Sequence, residues 1–294
     1  MMEVDPPPAP APEATPALPG DSFYAVDETA VDAQRQAKPW TQDATYFKRV
    51  AVSPAASTKM LAHAQRGCEA GVKAGGKPLE VMGLLLGYPD ADASKRRLVV
   101  TDALPLPVTG FETSVVADDD NVVNYMIALS DLVEKTRKER LMGWYHSHPF
   151  DVDEDHDNCF FSSTDLSTQL SWRQCGNRYI IASDLRRRRE TLSERETPVF
   201  SVVKNPTHRL ISTGWQNAED PQGNPFLAIV LDPLRSAAKN SAALAAFRAY
   251  PPAYTPPANQ CPDGEICADD ARRVEVWGSC WHRYYQLDLE YFTV

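Results

Sequence analysis

The sequence predicts an α/β domain, because short apolar runs alternate with amphipathic segments along most of its 294 residues. Residues 81–86, 98–106, 141–145 and 226–231 are apolar runs of strand length. Residues 121–140 carry Val, Met and Leu at helical spacing, which predicts an amphipathic helix. These patterns together predict a sheet packed against helices.

Shorter patterns predict three further elements. A helix is expected from Ser57, with Met and Leu on one side and Gly67 as its end. A second helix is expected over 164–172, with a serine as its N-cap. Residues 285–291 fit either a closing strand or a helix.

The chain divides by composition into a tail, an arm and a domain. Residues 1–21 are Pro- and Ala-rich and too poor in apolar bulk to fold, so a disordered tail is expected there. Residues 22–54 carry few core residues apart from aromatic ones, which predicts an arm laid over the domain. The domain itself is predicted over 55–294.

Charge and composition exclude several classes of function. The net charge of -10 argues against general nucleic-acid binding. No apolar run approaches the roughly 18 residues that span a bilayer, and no signal-peptide pattern opens the chain, so no membrane partner is expected. Six cysteines in a chain of this length indicate a reducing compartment rather than a disulfide framework.

The most informative motif is a pair of histidines after the apolar run 141–145. In an extended chain, side chains two residues apart point the same way, so His146 and His148 can offer two imidazole nitrogens to one ion. A catalytic zinc usually takes three protein ligands, and Asp165 is the best candidate for the third. Glu80 is a plausible base for the water. Taken alone, two histidines at this spacing are more often a structural pair than a metal site.

Two segments resemble the signature of the JAMM (MPN-plus) metalloproteases, a family of zinc isopeptidases. They are 80–87 (EVMGLLLG) and 146–149 (HSHP), the latter followed by Ser162 and Asp165. The segments 37–41 (AKPWT) and 247–251 (FRAYP) are similar to landmarks of the family's signalosome-type deneddylases. The resemblance implies an MPN fold of the cytidine-deaminase-like kind, a mixed sheet flanked by helices.

The resemblance also implies a role for each site residue. His146, His148 and Asp165 would hold one Zn²⁺, Glu80 would be the catalytic base, and Ser162 would donate to the oxyanion. Without the resemblance, Glu80 could be an exposed charge at a strand end and Ser162 a plain helix cap. A gating role is hypothesised for Glu112, which matches a gating segment of the family.

The function implied is zinc-dependent removal of a ubiquitin-like modifier from cullins (deneddylation), as the catalytic subunit of a signalosome-type complex. The partners implied are the other signalosome subunits, including a second MPN-domain protein, and a neddylated cullin. Cytoplasm and nucleus are the expected locations. The alternatives are a proteasome-lid-type deubiquitinase and a non-catalytic MPN scaffold.

Two insertions set this chain apart from the family pattern. Sixteen residues separate His148 from Asp165, and the added ones fall in 150–158. This acidic stretch is interpreted as a solvated loop, although its alternating aspartates resemble the start of a calcium loop. The second insertion, about 175–223, carries four consecutive arginines and is either a solvated loop or a docking element.

Overall fold

The computed structural model describes residues 21–107, 120–149, 158–170, 215–251, 254–257, 261–262, 273–274 and 280–292. Within these residues seven strands form one sheet: β1 Arg49–Val52, β2 Met82–Pro89, β3 Arg97–Pro105, β4 Arg140–Ser147, β5 Leu227–Leu231, β6 Leu244–Ala249 and β7 Tyr284–Tyr291. The described α-helices are α1 Glu28–Ala37, α2 Pro54–Lys73, α3 Asp120–Thr136, α4 Ser163–Leu170, α5 Trp215–Glu219 and α6 Pro233–Lys239. None of these helices is long and apolar enough to cross a membrane.

The sheet is mixed and closes on itself. Its strand order is β1-β3-β2-β4-β5-β6-β7, and β7 pairs again with β1. β1 runs parallel to both of its neighbours and β4 runs parallel to β5, whereas the other pairs are antiparallel. The predicted mixed sheet with flanking helices is confirmed, and its closure into a barrel is an additional finding.

β4 lies between two hydrophobic cores. Successive side chains of a strand point to opposite faces, so Trp144 packs in one core with Leu84 and Val230, while Tyr145 packs in the other. Because both faces of the strand are covered, its sequence is a continuous apolar run rather than an alternating one. His146, two residues after Trp144, therefore emerges on the Trp144 side.

The N-terminal arm contributes directly to the sheet and to its surroundings. β1, which lies within the segment assigned to the arm, pairs with β3 and β7. Before it, the Trp40 indole donates to the carbonyl oxygen of Asp220 at 3.1 Å, and the Lys38 ammonium donates to that of Pro221 at 2.7 Å. The Asp220 carboxylate in turn pairs with Arg248 of β6. The arm thus holds the turn at the end of the second insertion.

Two expectations about individual elements change. The predicted end of a helix at Gly67 is wrong, because α2 continues to Lys73. A side chain at Gly67 would collide with Val81 and the Leu79 carbonyl, so the glycine serves close packing rather than termination. Residues 285–291, which the sequence left open between strand and helix, belong to strand β7.

The close approach of β4 to its neighbours generates a stability prediction. A Cβ at Gly143 would come within 2.7 Å of the Leu227 carbonyl oxygen and 3.1 Å of a Leu85 methyl group. We expect Gly143→Ala to lower the free energy of unfolding by about 1–3 kcal/mol, as overpacking does, in chemical denaturation. Gly76→Ala is the control, because its nearest neighbour would lie 3.6 Å away. Equal effects of the two substitutions would contradict this packing.

Candidate metal centre

The structure brings His146, His148 and Asp165 together in a buried cluster. The two histidine Nε2 atoms are 2.9 Å apart, and the Asp165 oxygens lie 2.9 Å from His146 Nε2 and 3.5 Å from His148 Nε2. Two ligands of a tetrahedral zinc at its usual bond lengths are about 3.3 Å apart. Two imidazoles and a carboxylate at these separations fit Zn²⁺ as three ligands, with a fourth position left for water.

Strand pairing on both sides of β4 places the two histidines. The Ser147 N–H donates to the Val81 carbonyl, and the Ser147 hydroxyl accepts from the Val81 N–H at 3.0 Å. On the other side the His148 N–H donates to the Leu231 carbonyl at 2.8 Å. Successive side chains of a strand point to opposite faces, so the imidazoles before and after Ser147 lie on the same face, opposite the Ser147 side chain.

Each imidazole has a different second contact. His148 Nδ1 lies 2.8 Å from the Asn158 carbonyl oxygen. A carbonyl only accepts, so Nδ1 carries the hydrogen and Nε2 keeps its lone pair for the cluster. The His146 ring stacks on Trp144 with centroids 4.7 Å apart and planes 15° apart. Its Nδ1 is buried and has no hydrogen-bond partner among the described residues.

Asp165 is held by the start of α4. Its carboxylate accepts from the Ser162 N–H at 2.7 Å, and its own N–H donates to the Ser162 hydroxyl at 3.2 Å, a reciprocal capping contact. Burial alone would raise the pKa of Asp165, but His146 and His148 outweigh that cost and hold the pKa well below its ordinary value. The Ser162 oxygen accepts in this contact, which leaves its hydrogen available to a substrate oxygen.

Glu80 lies just before β2 and beside the cluster. Met82 pairs with His146 in the antiparallel register, so Glu80 falls next to His148. Its side chain is buried, so the reading as an exposed strand-end charge is wrong. Burial raises the pKa of Glu80 to about 8, with His148 opposing the shift and Asp165 adding to it. A cation held by the three ligands would lower this pKa again.

Other candidates fall outside the described residues or outside the cluster. Glu112, the aspartates of the 151–157 loop and the four arginines lie outside the described part of the chain. Within that part, His146, His148 and Asp165 are the group with metal-ligand spacing. Sequence reasoning missed the contacts of Trp144 and Asn158. The only signals in the sequence are that Trp144 lies next to the histidine motif and that Asn158 ends the first insertion.

Comparison with known proteins agrees with this geometry. Residues 45–177 match the family model described as JAB1/Mov34/MPN/PAD-1 ubiquitin protease. The matched stretch includes Glu80, both histidines, Ser162 and Asp165. The JAB/MPN family model thus matches the part of the chain that carries β1 to β4 and α4. The resemblance to the JAMM (MPN-plus) family is thereby confirmed.

Similarity to individual relatives extends over most of the chain. It is 32% identical over 274 residues to COP9 signalosome complex subunit 5 of Neurospora crassa, and 31% identical over 273 residues to subunit 5b of Arabidopsis thaliana. Subunit 5 of Oryza sativa subsp. japonica is 32% identical over 273 residues. Each alignment covers 92% of this chain but 62%, 57% and 57% of the respective relative. The chain thus spans about three fifths of the length of these relatives.

The raised pKa of Glu80 predicts a pH-dependent stability of the metal-free protein. Between the ordinary value of 4.5 and about 8, the folded state binds more protons than the unfolded state, so stability falls as pH rises through this window. Glu80→Gln has no titrating carboxyl at this position, so it should not lose stability as pH rises through this window. In calorimetry with a chelator, the variant should melt above the wild type at alkaline pH and match it below the window.

Glu69→Gln, which changes an exposed glutamate of α2, is the control and should keep a constant offset from the wild type. If the Glu80→Gln offset were equally constant with pH, the carboxyl would not titrate as described.

Proposed function

We propose that this protein is a zinc-dependent isopeptidase that removes a ubiquitin-like modifier from cullins, as the catalytic subunit of a signalosome-type complex. The observation that carries the proposal is the buried convergence of His146, His148 and Asp165 beside the buried carboxyl of Glu80. The similarity to COP9 signalosome complex subunit 5 over 92% of the chain supports the choice of complex and substrate.

The reaction requires an activated nucleophile and an activated carbonyl. Zinc held by the three ligands supplies a Lewis acid that polarises the carbonyl and lowers the pKa of water toward about 7. The Glu80 carboxylate takes the proton of the attacking water and delivers it to the lysine Nζ as that amine leaves. Burial beside His148 keeps Glu80 away from bulk water, so its proton passes within the site.

Ser162 completes the proposed machinery. Its hydroxyl oxygen is tied to the Asp165 N–H, which fixes the side chain next to the ligand while its hydrogen stays free to turn toward the carbonyl oxygen. A donor of this kind, aimed at the developing oxyanion, contributes about 3–4 kcal/mol of transition-state stabilisation. The Ser162 hydroxyl therefore serves in both roles, since its oxygen caps the helix and its hydrogen is the proposed catalytic donor.

Two other readings are less well supported. A non-catalytic scaffold was an alternative because the 150–158 insertion separates the ligands in sequence, yet the ligand atoms all lie within 4.8 Å of one another. Asn158, the last residue of that insertion, orients His148. A proteasome-lid deubiquitinase is disfavoured by the extent of the similarity to subunit 5 relatives. A second MPN-domain partner and a location in cytoplasm and nucleus remain part of the proposal.

Zinc content is the first test of the site. Elemental mass spectrometry of the purified full chain should find about one zinc per chain in the wild type and a large loss in Asp165→Asn, because three protein ligands are needed. Asp90→Asn is the matched control, since Asp90 is also buried but pairs with Arg97 at the far end of β2. A folded wild type without zinc would favour the scaffold.

Turnover tests the role of Ser162. We expect Ser162→Ala to lower kcat by about 10²–10³ on a neddylated cullin, with zinc retained. The matched control is Ser53→Ala, which removes the N-cap of α2, where the hydroxyl accepts from the Ala56 N–H at 3.0 Å. Equal activity of the two variants would mean that Ser162 is only a helix cap. In the same assay, wild-type cleavage of diubiquitin in preference to the cullin conjugate would favour the deubiquitinase.

A further inference from the structure

One buried side chain contacts both elements that carry the metal ligands. Gln169 lies one turn after Asp165 on α4 and is fully buried. Its Oε1 accepts a hydrogen bond from the Trp144 indole at 2.8 Å. The same indole stacks on the His146 ring. Gln169 therefore joins the helix of Asp165 to the aromatic ring that covers His146.

The amide of Gln169 is held in one orientation from its other end. Its Nε2 donates to Gln216 Oε1 at 2.9 Å and to the Phe226 carbonyl at 3.2 Å. Gln216 in turn donates to the Ala249 carbonyl at 2.8 Å and accepts from the Ala249 N–H at 3.0 Å. Because the main chain of β6 has fixed donors and acceptors, it sets both amides, and neither can flip without losing partners.

These hydrogen bonds connect the end of the second insertion to the metal centre. Gln216 lies on α5, within the stretch assigned to that insertion. Its neighbour Trp215 packs edge-on against Trp144, with ring centroids 5.8 Å apart and planes 88° apart. The insertion therefore returns to the domain through residues that support the His146 side of the cluster.

We propose that Gln169 is a positioning residue for the metal centre. Gln216 holds the Gln169 amide, and this amide holds the Trp144 ring against His146 and links that ring to the helix that carries Asp165. His146 depends on this support because its Nδ1 has no hydrogen-bond partner among the described residues, whereas His148 is oriented by Asn158. The inference deepens the proposed function and rests on it, since it assumes that the cluster binds zinc.

The test is the zinc affinity of the full chain, measured by competition with a chromogenic chelator. Gln169→Met keeps the volume but removes both hydrogen-bonding groups, and we expect affinity about tenfold weaker, as for other residues that orient ligands. Trp144→Phe keeps an aromatic face and removes the indole donor, so it should also weaken binding. The loss of affinity in the double variant should be smaller than the sum of the two single losses, because both changes break the same hydrogen bond between Trp144 and Gln169.

Gln34→Met is the matched control, since Gln34 is a buried glutamine whose amide donates to the Asp90 carbonyl at the far end of β2. It should lower the melting temperature as Gln169→Met does but leave zinc affinity unchanged.

Three results would overturn the inference. Gln169→Met with wild-type affinity contradicts it outright, and so does an equal loss of affinity in Gln34→Met. If Gln169→Met does not fold, Trp144→Phe decides, and wild-type affinity in that variant is contradictory. A wild type that binds no zinc would instead overturn the proposed function, and this inference with it.

Discussion

The pairing of β4 with β2 on one side and with β5 on the other determines where the site residues lie. It fixes the end of β4, so that His146 and His148 emerge on one face. The same register brings Glu80 to His148. Gly143 allows the neighbouring strands to approach this closely. Main-chain hydrogen bonds therefore place the backbone of His146, His148 and Glu80, and side-chain contacts then orient the two imidazole rings.

The cluster shows why a cation fits there. Glu80 and Asp165 place two carboxyl groups in the same buried region, and the pKa of Glu80 is raised mainly by its burial, with the nearby Asp165 carboxylate adding to the shift. A divalent cation on the three ligands would supply that compensation and favour the ionised base. The requirements of stability and of the proposed chemistry therefore agree at this site.

Much of the fold and the cluster could be predicted because their signals are local. Apolar runs mark β2 to β5, and the spacing of His146 and His148 reflects the two-residue period of a strand. Closure of the sheet could not be predicted, since β1 and β7 pair across almost the whole chain. Gly67 was misassigned because a glycine needed for packing looks like a helix stop. The Trp144–Gln169 contact depends on tertiary packing and leaves no pattern in the sequence.

The proposed function requires that zinc bind to two imidazoles and a carboxylate in this cluster. X-ray absorption at the zinc edge of the purified full chain tests it most directly, because the bond lengths identify the ligands. We expect a shell of nitrogen and oxygen ligands at about 2.0–2.1 Å with the multiple-scattering signature of two imidazoles. Sulfur ligands at about 2.3 Å would contradict it, because they would place the metal on cysteines instead.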